Sequence, residues 1–145
     1  MPVNDDAALR RLLESVRSIA VLGIKAGEQD DAYRVPLYMQ RAGYRIRPVN
    51  PKLASVLGER AVASLALLDS PCDMVNVFRA IAHLPGHTDE ILALRWRPRC
   101  VWFQEGIRDD ACAARLEAAG IEVVQDRCLM VDHRRLLGAP SGSPQ

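Results

Sequence analysis

Gly23-Ile24-Lys25-Ala26-Gly27 follows directly on the unbroken apolar run Ile19-Ala20-Val21-Leu22. A glycine at the end of a buried strand, then a polar loop and an amphipathic segment, presents backbone N–H groups and a positive helix terminus to a phosphate. Lys25 adds a charge inside that loop, and Lys52 and Arg79 fall near the ends of other segments where they could add more. For each cation the alternative is a solvated surface charge. The loop matches neither GxGxxG nor GxxxxGK[ST], so an ordinary turn between a strand and a helix also stands as a reading.

Other reactive types are present without a recognisable catalytic spacing. His83, His87 and His133 have no serine or cysteine placed to form a nucleophile–base pair, and His83 and His87 read as helix-start or surface residues. Glu105 lacks an acid partner, which favours a turn-forming or ribose-contacting role over that of a base. Cys72, Cys100, Cys112 and Cys128 show neither CxxC nor Cys/His ligand spacing, so reduced thiols are expected rather than a disulfide framework or a zinc site. Phe78, Trp96 and Trp102 are read first as packing residues.

These side chains need a scaffold, and the composition bounds it. The 145 residues fit a single domain, expected over residues 1–137 with a disordered tail at 138–145. Nineteen Lys and Arg nearly balance eighteen Asp and Glu, so no global field draws the chain to nucleic acid or a membrane, and any anion site must be local. No apolar run approaches the roughly 20 residues that cross a bilayer. No leader is read before Asp5 and Asp6, which makes the cytoplasm the expected compartment.

The hydrophobic periods place the elements. Asn4 is expected to cap a helix whose Leu9, Leu12, Leu13 and Val16 share one face. Residues 19–22 form a first strand. A second helix starts near Asp31, with Pro36 expected in its first turn and Gly43 closing it. Residues 44–51 form a short second strand whose end is fixed by two prolines, and residues 57–62 a short edge strand followed by one helical turn. Strands are expected at 74–78, 100–103 and 121–124. A helix carrying Thr88, Ile91, Leu92 and Arg95, a helix capped by Asp109, and a last helix at 128–137 fall between and after them. Alternation at this spacing predicts an α/β, Rossmann-like, doubly wound, mainly parallel sheet with helices on both faces and right-handed crossovers. Ligands of such sheets sit at the carboxyl ends of the strands where strand order reverses. Residues 23–27, 49–52, 78–79 and 104–107 should therefore converge.

Those four segments carry a family resemblance. VLG, YRVPLYMQRAGYRIRPVNP (33–51), DMVNVFR (73–79), VWFQEGI (101–107) and DRCLMVDHRRL (126–136) in this order resemble the small stand-alone CoA-binding proteins. More distantly, they resemble the CoA-binding domain of the succinyl-CoA synthetase alpha subunit. The resemblance implies that Gly23, Ile24 and Lys25 lie along the phosphates of coenzyme A, with Arg34 a further contact. It implies that Asn50 and Lys52 flank the nucleotide and that Phe78, Arg79, Gln104, Glu105 and Gly106 line its other side. The histidine-bearing domain of the synthetase has no counterpart here, so the implied role is binding of CoA or an acyl-CoA without catalysis. Ile24 and Ala26 also stand where the family often has a small hydroxyl residue.

The chemistry agrees, because a diphosphate with a ribose phosphate calls for N–H donors and a few cations rather than a basic surface. An NAD(P)-binding oxidoreductase is the alternative on the same fold. Against it stand the missing glycine fingerprint and Asn50, where an acidic residue would hold the ribose; Arg45 and Arg47 could accept a 2′-phosphate. A nucleotide-sensing interaction module is a third reading, with no partner surface identified. Cys128 belongs to the C-terminal stretch, where a thiol beside Arg127 and His133 could exchange with a CoA disulfide; a buried or capping cysteine is the alternative.

Overall fold

In the computed structural model, which describes residues 3–138, the run Ser18–Leu22 is strand β1 and lies inside a five-stranded parallel sheet. The other strands are β2 (Arg45–Val49), β5 (Met74–Val77), β6 (Cys100–Phe103) and β7 (Glu122–Val124), in the order β2-β1-β5-β6-β7. A separate antiparallel pair, β3 (Ser55–Val56) and β4 (Glu59–Arg60), interrupts the chain between β2 and β5. The α/β Rossmann-like architecture expected from the sequence is thus the one observed. The disordered tail expected at 138–145 lies outside the described residues apart from Gly138, which ends the last helix at φ +85°.

Burial of both sheet faces explains why the inner strands β1, β5 and β6 are buried at nearly every position, whereas the edge strand β2 alternates Arg45, Ile46 and Arg47. Ile19, Val21, Met74 and Trp102 point to one side, into a core shared with α1 (Asp6–Ser15), α2 (Asp31–Arg41) and α5 (Leu129–Leu137). Ala20, Leu22, Val75, Val77, Val101 and Phe103 point to the other, against α3 (Leu84–Leu92) and α4 (Asp110–Ala118).

Several boundaries differ from expectation for local reasons. Asp5, not Asn4, caps α1, its carboxylate accepting the Ala8 N–H at 2.8 Å. Asp109 caps α4 as expected, accepting from Cys112 N at 3.0 Å. Pro36 stands in the second turn of α2 rather than the first, buried against the core, so Ala32 O has no i+4 donor. Residues 57–62 do not form a single edge strand. Leu57 (φ +56°) and Gly58 (φ +76°) turn the β3–β4 pair, and Val62 then bridges Val49 in parallel, extending the sheet edge just past β2. The helical turn expected after it is the 3₁₀ turn Leu65–Leu67. Helix α3 ends at Leu92, leaving Arg95 beyond it.

Candidate functional site

β1 pairs with β2 on one side and β5 on the other, so strand order reverses at β1. There the adjoining crossovers leave toward opposite faces and a crevice opens at the carboxyl ends. The crevice is a cleft of about 630 Å³, a size typical of small-molecule sites.

Its floor is the turn at Gly23. The Gly23 N–H donates to Val49 O at 3.0 Å, and its φ of +87° is one that side-chain-bearing residues rarely adopt. A Cβ there would lie 2.4 Å from Phe78 O and 2.9 Å from Arg79 Cδ. Glycine thus lets the exits of β1 and β5 touch. Ile24 next turns fully inward into the α2-side core, which fixes the loop while leaving Lys25 exposed at the cleft. The Lys25 N–H donates to Ala32 O at 3.2 Å, the carbonyl released by Pro36. Asn50 closes the β2 side: its Nδ2 donates to Ile24 O at 2.6 Å, and its Oδ1 accepts the Lys52 N–H at 2.8 Å.

Gly23, Lys25, Asn50, Lys52, Phe78 and Arg79 are therefore brought together, as the sequence suggested. Ile24 contributes its carbonyl from beneath. Arg34 is not part of this lining; it is exposed on α2 and ion-paired with Asp31 one turn away. The turn after β6 also lies outside the lining. Gln104 is buried over the sheet, its Oε1 accepting from Asn76 Nδ2 at 3.3 Å and Leu129 N at 3.4 Å. Glu105 is exposed, and the Gly106 N–H donates to Asp126 Oδ1 at 2.6 Å. These bonds tie β6 to the start of α5 and the loop before it.

Ser64, His83, His87 and Glu90 also line the cleft, although no motif in the sequence assigns them there. Arg79 Nε donates to His87 Nε2 at 3.2 Å, His87 Nδ1 faces Glu90 Oε1 at 3.1 Å, and Glu90 Oε2 accepts the Leu65 N–H at 3.0 Å. The hydrogen bond from His87 holds the Glu90 carboxyl below its ordinary range, against the opposing effect of burial. Lys25, Lys52 and Arg79 thus face a single lining carboxylate already engaged by two donors. The His87–Glu90 spacing of three on a helix was a readable signal; the eight residues from Arg79 to His87, spanning a 3₁₀ turn, were not.

Cys128 is half-buried at the N-cap of α5, packed against the α1/α2/α5 core, and its side chain makes no capping bond. The groups invoked to activate it are committed elsewhere: Arg127 holds Asp132 at 2.6 and 3.1 Å, and His133 Nδ1 faces Tyr38 OH at 2.9 Å. Among the described residues no group of three or more His, Cys, Asp or Glu could hold a metal ion, and no helix is long and apolar enough to cross a membrane.

A parallel sheet in this order, with a cation-lined cleft at its point of reversal, defines a Rossmann-like α/β protein with a ligand crevice at the strand ends. Residues 17–134 match the family described as a CoA binding domain, and the chain belongs to that family. It is 36% identical over 127 residues to "Uncharacterized protein YneT" of Bacillus subtilis (strain 168), covering 88% of this chain and 93% of that one. A solved structure of cell-free ID.343 from Thermus thermophilus superposes with a TM-score of 0.87 at 46% identity, over 92% of this chain and 100% of the other. A hypothetical protein from Pyrococcus horikoshii OT3 gives a TM-score of 0.87 at 28% identity, over 95% and 97%.

Proposed function

We propose that the protein binds coenzyme A, free or acylated, in the cleft at the ends of β1, β2 and β5, and that its role is binding rather than turnover. The observation that carries this reading is the convergence of Lys25, Lys52 and Arg79 on the glycine turn against one carboxylate already held by two hydrogen bonds. A diphosphate needs a few cations and N–H donors in one crevice, and the membership in the CoA binding domain family supports CoA as its bearer. Asn50 favours CoA over NAD, because the end of β2 offers an amide already spent on Ile24 and Lys52 where a ribose-holding carboxylate would stand. The absence of a partnered nucleophile in the sequence pattern supports binding without chemistry.

Thermal shifts with CoA, acetyl-CoA, NAD and NADP test this. A ligand that binds only the native state stabilises it by about 2.7 kcal/mol at a hundredfold excess over Kd. CoA and acetyl-CoA are expected to raise Tm well above NAD or NADP, and a larger shift with NAD overturns the reading.

A further inference from the structure

The chain of bonds from Arg79 through His87 to Glu90 fixes a protonation state. An arginine only donates, so His87 Nε2, 3.2 Å from Arg79 Nε, must present a lone pair. Its proton then sits on Nδ1, directed at Glu90 Oε1 at 3.1 Å. His87 is neutral in this arrangement. The arrangement also ties up Nε of the arginine that the proposed function assigns to phosphate.

We propose that His87 is itself a phosphate ligand that takes up a proton as the anion binds. When Arg79 turns its guanidinium to a phosphate oxygen, Nε2 loses its donor and faces the same anion. A proton taken from solvent then makes both ring nitrogens donors, Nδ1–H to Glu90 and Nε2–H to the phosphate. Imidazole is suited to this because small changes in its surroundings move its charge across neutral pH. This deepens the CoA-binding reading and rests on it, adding a residue and a proton to the site.

The charges around His87 favour the step once a diphosphate is present. On its own helix it faces Glu90, while Asp89 is turned to Arg115 of α4. Arg79 reaches it from the end of β5, and His83 lines the cleft from the 3₁₀ turn Ile81–His83. Lys25 and Lys52 line the cleft from the ends of β1 and β2, and the Leu65 turn supplies only its N–H, to Glu90. Three cations against one carboxylate oppose a further positive charge. Adding the charges of a diphosphate brings that balance to about neutral, and a proton on His87 then meets an anion on each side.

The test is calorimetric titration of CoA at pH 7 in several phosphate-free buffers of different ionisation enthalpy, for wild type and His87→Gln. The slope of observed against ionisation enthalpy counts protons exchanged. Exchange by the ribose phosphate of CoA is common to both proteins and cancels in the difference. Wild type is expected to take up about 0.5–1 proton more than the variant, and its Kd to rise by up to about tenfold per pH unit between pH 6 and 8, with a flatter profile in His87→Gln. Glu90→Gln, which removes the anion on the Nδ1 side, is expected to lower the uptake, and it carries the test if His87→Gln does not fold. Equal proton counts with CoA bound overturn this inference alone. Failure of CoA to bind wild type overturns it together with the binding reading.

Discussion

The backbone N–H of Lys25 donates to the carbonyl of Ala32 at 3.2 Å, and Ala32 is the residue four before Pro36. In an uninterrupted helix that carbonyl would take the N–H of residue 36. Proline has none, so α2 hands an acceptor to the loop that carries the cleft's first cation. An element of secondary structure is locally weakened, and the site is tied to it by the group left over.

Pro36→Ala tests that link. The new N–H competes for Ala32 O, so the Lys25 amide is expected to exchange with solvent faster and CoA to bind more weakly by about 0.5–1.5 kcal/mol, the net worth of one hydrogen bond. Hydrogen exchange and titration on the same sample measure both. Unchanged protection at Lys25 would show that the loop is held without Ala32.

Gly23→Ala is expected to damage the fold, not only the site. The variant would hold a β-carbon at φ +87° and 2.4 Å from Phe78 O, a backbone atom that cannot rotate away. Strain of this kind costs about 1–3 kcal/mol before the clash is added, so a loss of at least about 3 kcal/mol is expected in urea unfolding. A near-native midpoint would mean that the β1 and β5 exits can separate freely.

Lys25→Ala separates binding from stability. The side chain is exposed and lines the cleft, and Ile24, not Lys25, anchors the loop in the core. CoA binding should weaken by about 1–3 kcal/mol while the stability of the free protein stays within about 0.5 kcal/mol. Unaltered affinity would remove Lys25 from the phosphate site.

What the sequence revealed and what it hid follow from how far each signal reaches along the chain. Ile19–Leu22 and Cys100–Phe103 were legible as strands because both faces of the sheet are covered, which writes an unbroken apolar run into consecutive residues. The convergence of Gly23, Lys25, Asn50, Lys52 and Arg79 followed from the parallel order. The β3–β4 pair was illegible: its strands are two residues each, too short for a period, and its turn puts Leu57 at φ +56°, against that residue's preference. The Arg79–His87–Glu90 chain was hidden because the path of residues 80–83 through a 3₁₀ turn, not any spacing rule, brings His87 back to Arg79. Arg34, a phosphate contact only by the family resemblance, stands on α2 outside the cleft lining with its guanidinium paired to Asp31 at i−3.

The α1/α2/α5 face carries a pH dependence of its own, through Tyr44. Its ring packs edge-on against His133, with centroids 5.6 Å apart, and its hydroxyl donates to Leu13 O at 2.6 Å. Burial pushes the phenol up to about 12 from an ordinary 10, with nearby Arg17 pulling weakly the other way. The folded state therefore holds its proton more tightly than the unfolded chain. The stability this contributes is present in full below about pH 10 and is lost as pH rises toward about 12. Tyr44→Phe keeps the ring and removes the titration. At pH 8 the variant should be less stable by about 1 kcal/mol, because Leu13 O loses its donor. By about pH 11 the gap should narrow, since wild type alone must then keep that phenol protonated against solvent; Tyr38, also raised by burial, titrates in both proteins. Urea unfolding of the pair at the two pH values measures the difference, and a gap of equal size at both would show that Tyr44 reaches solvent when it ionises.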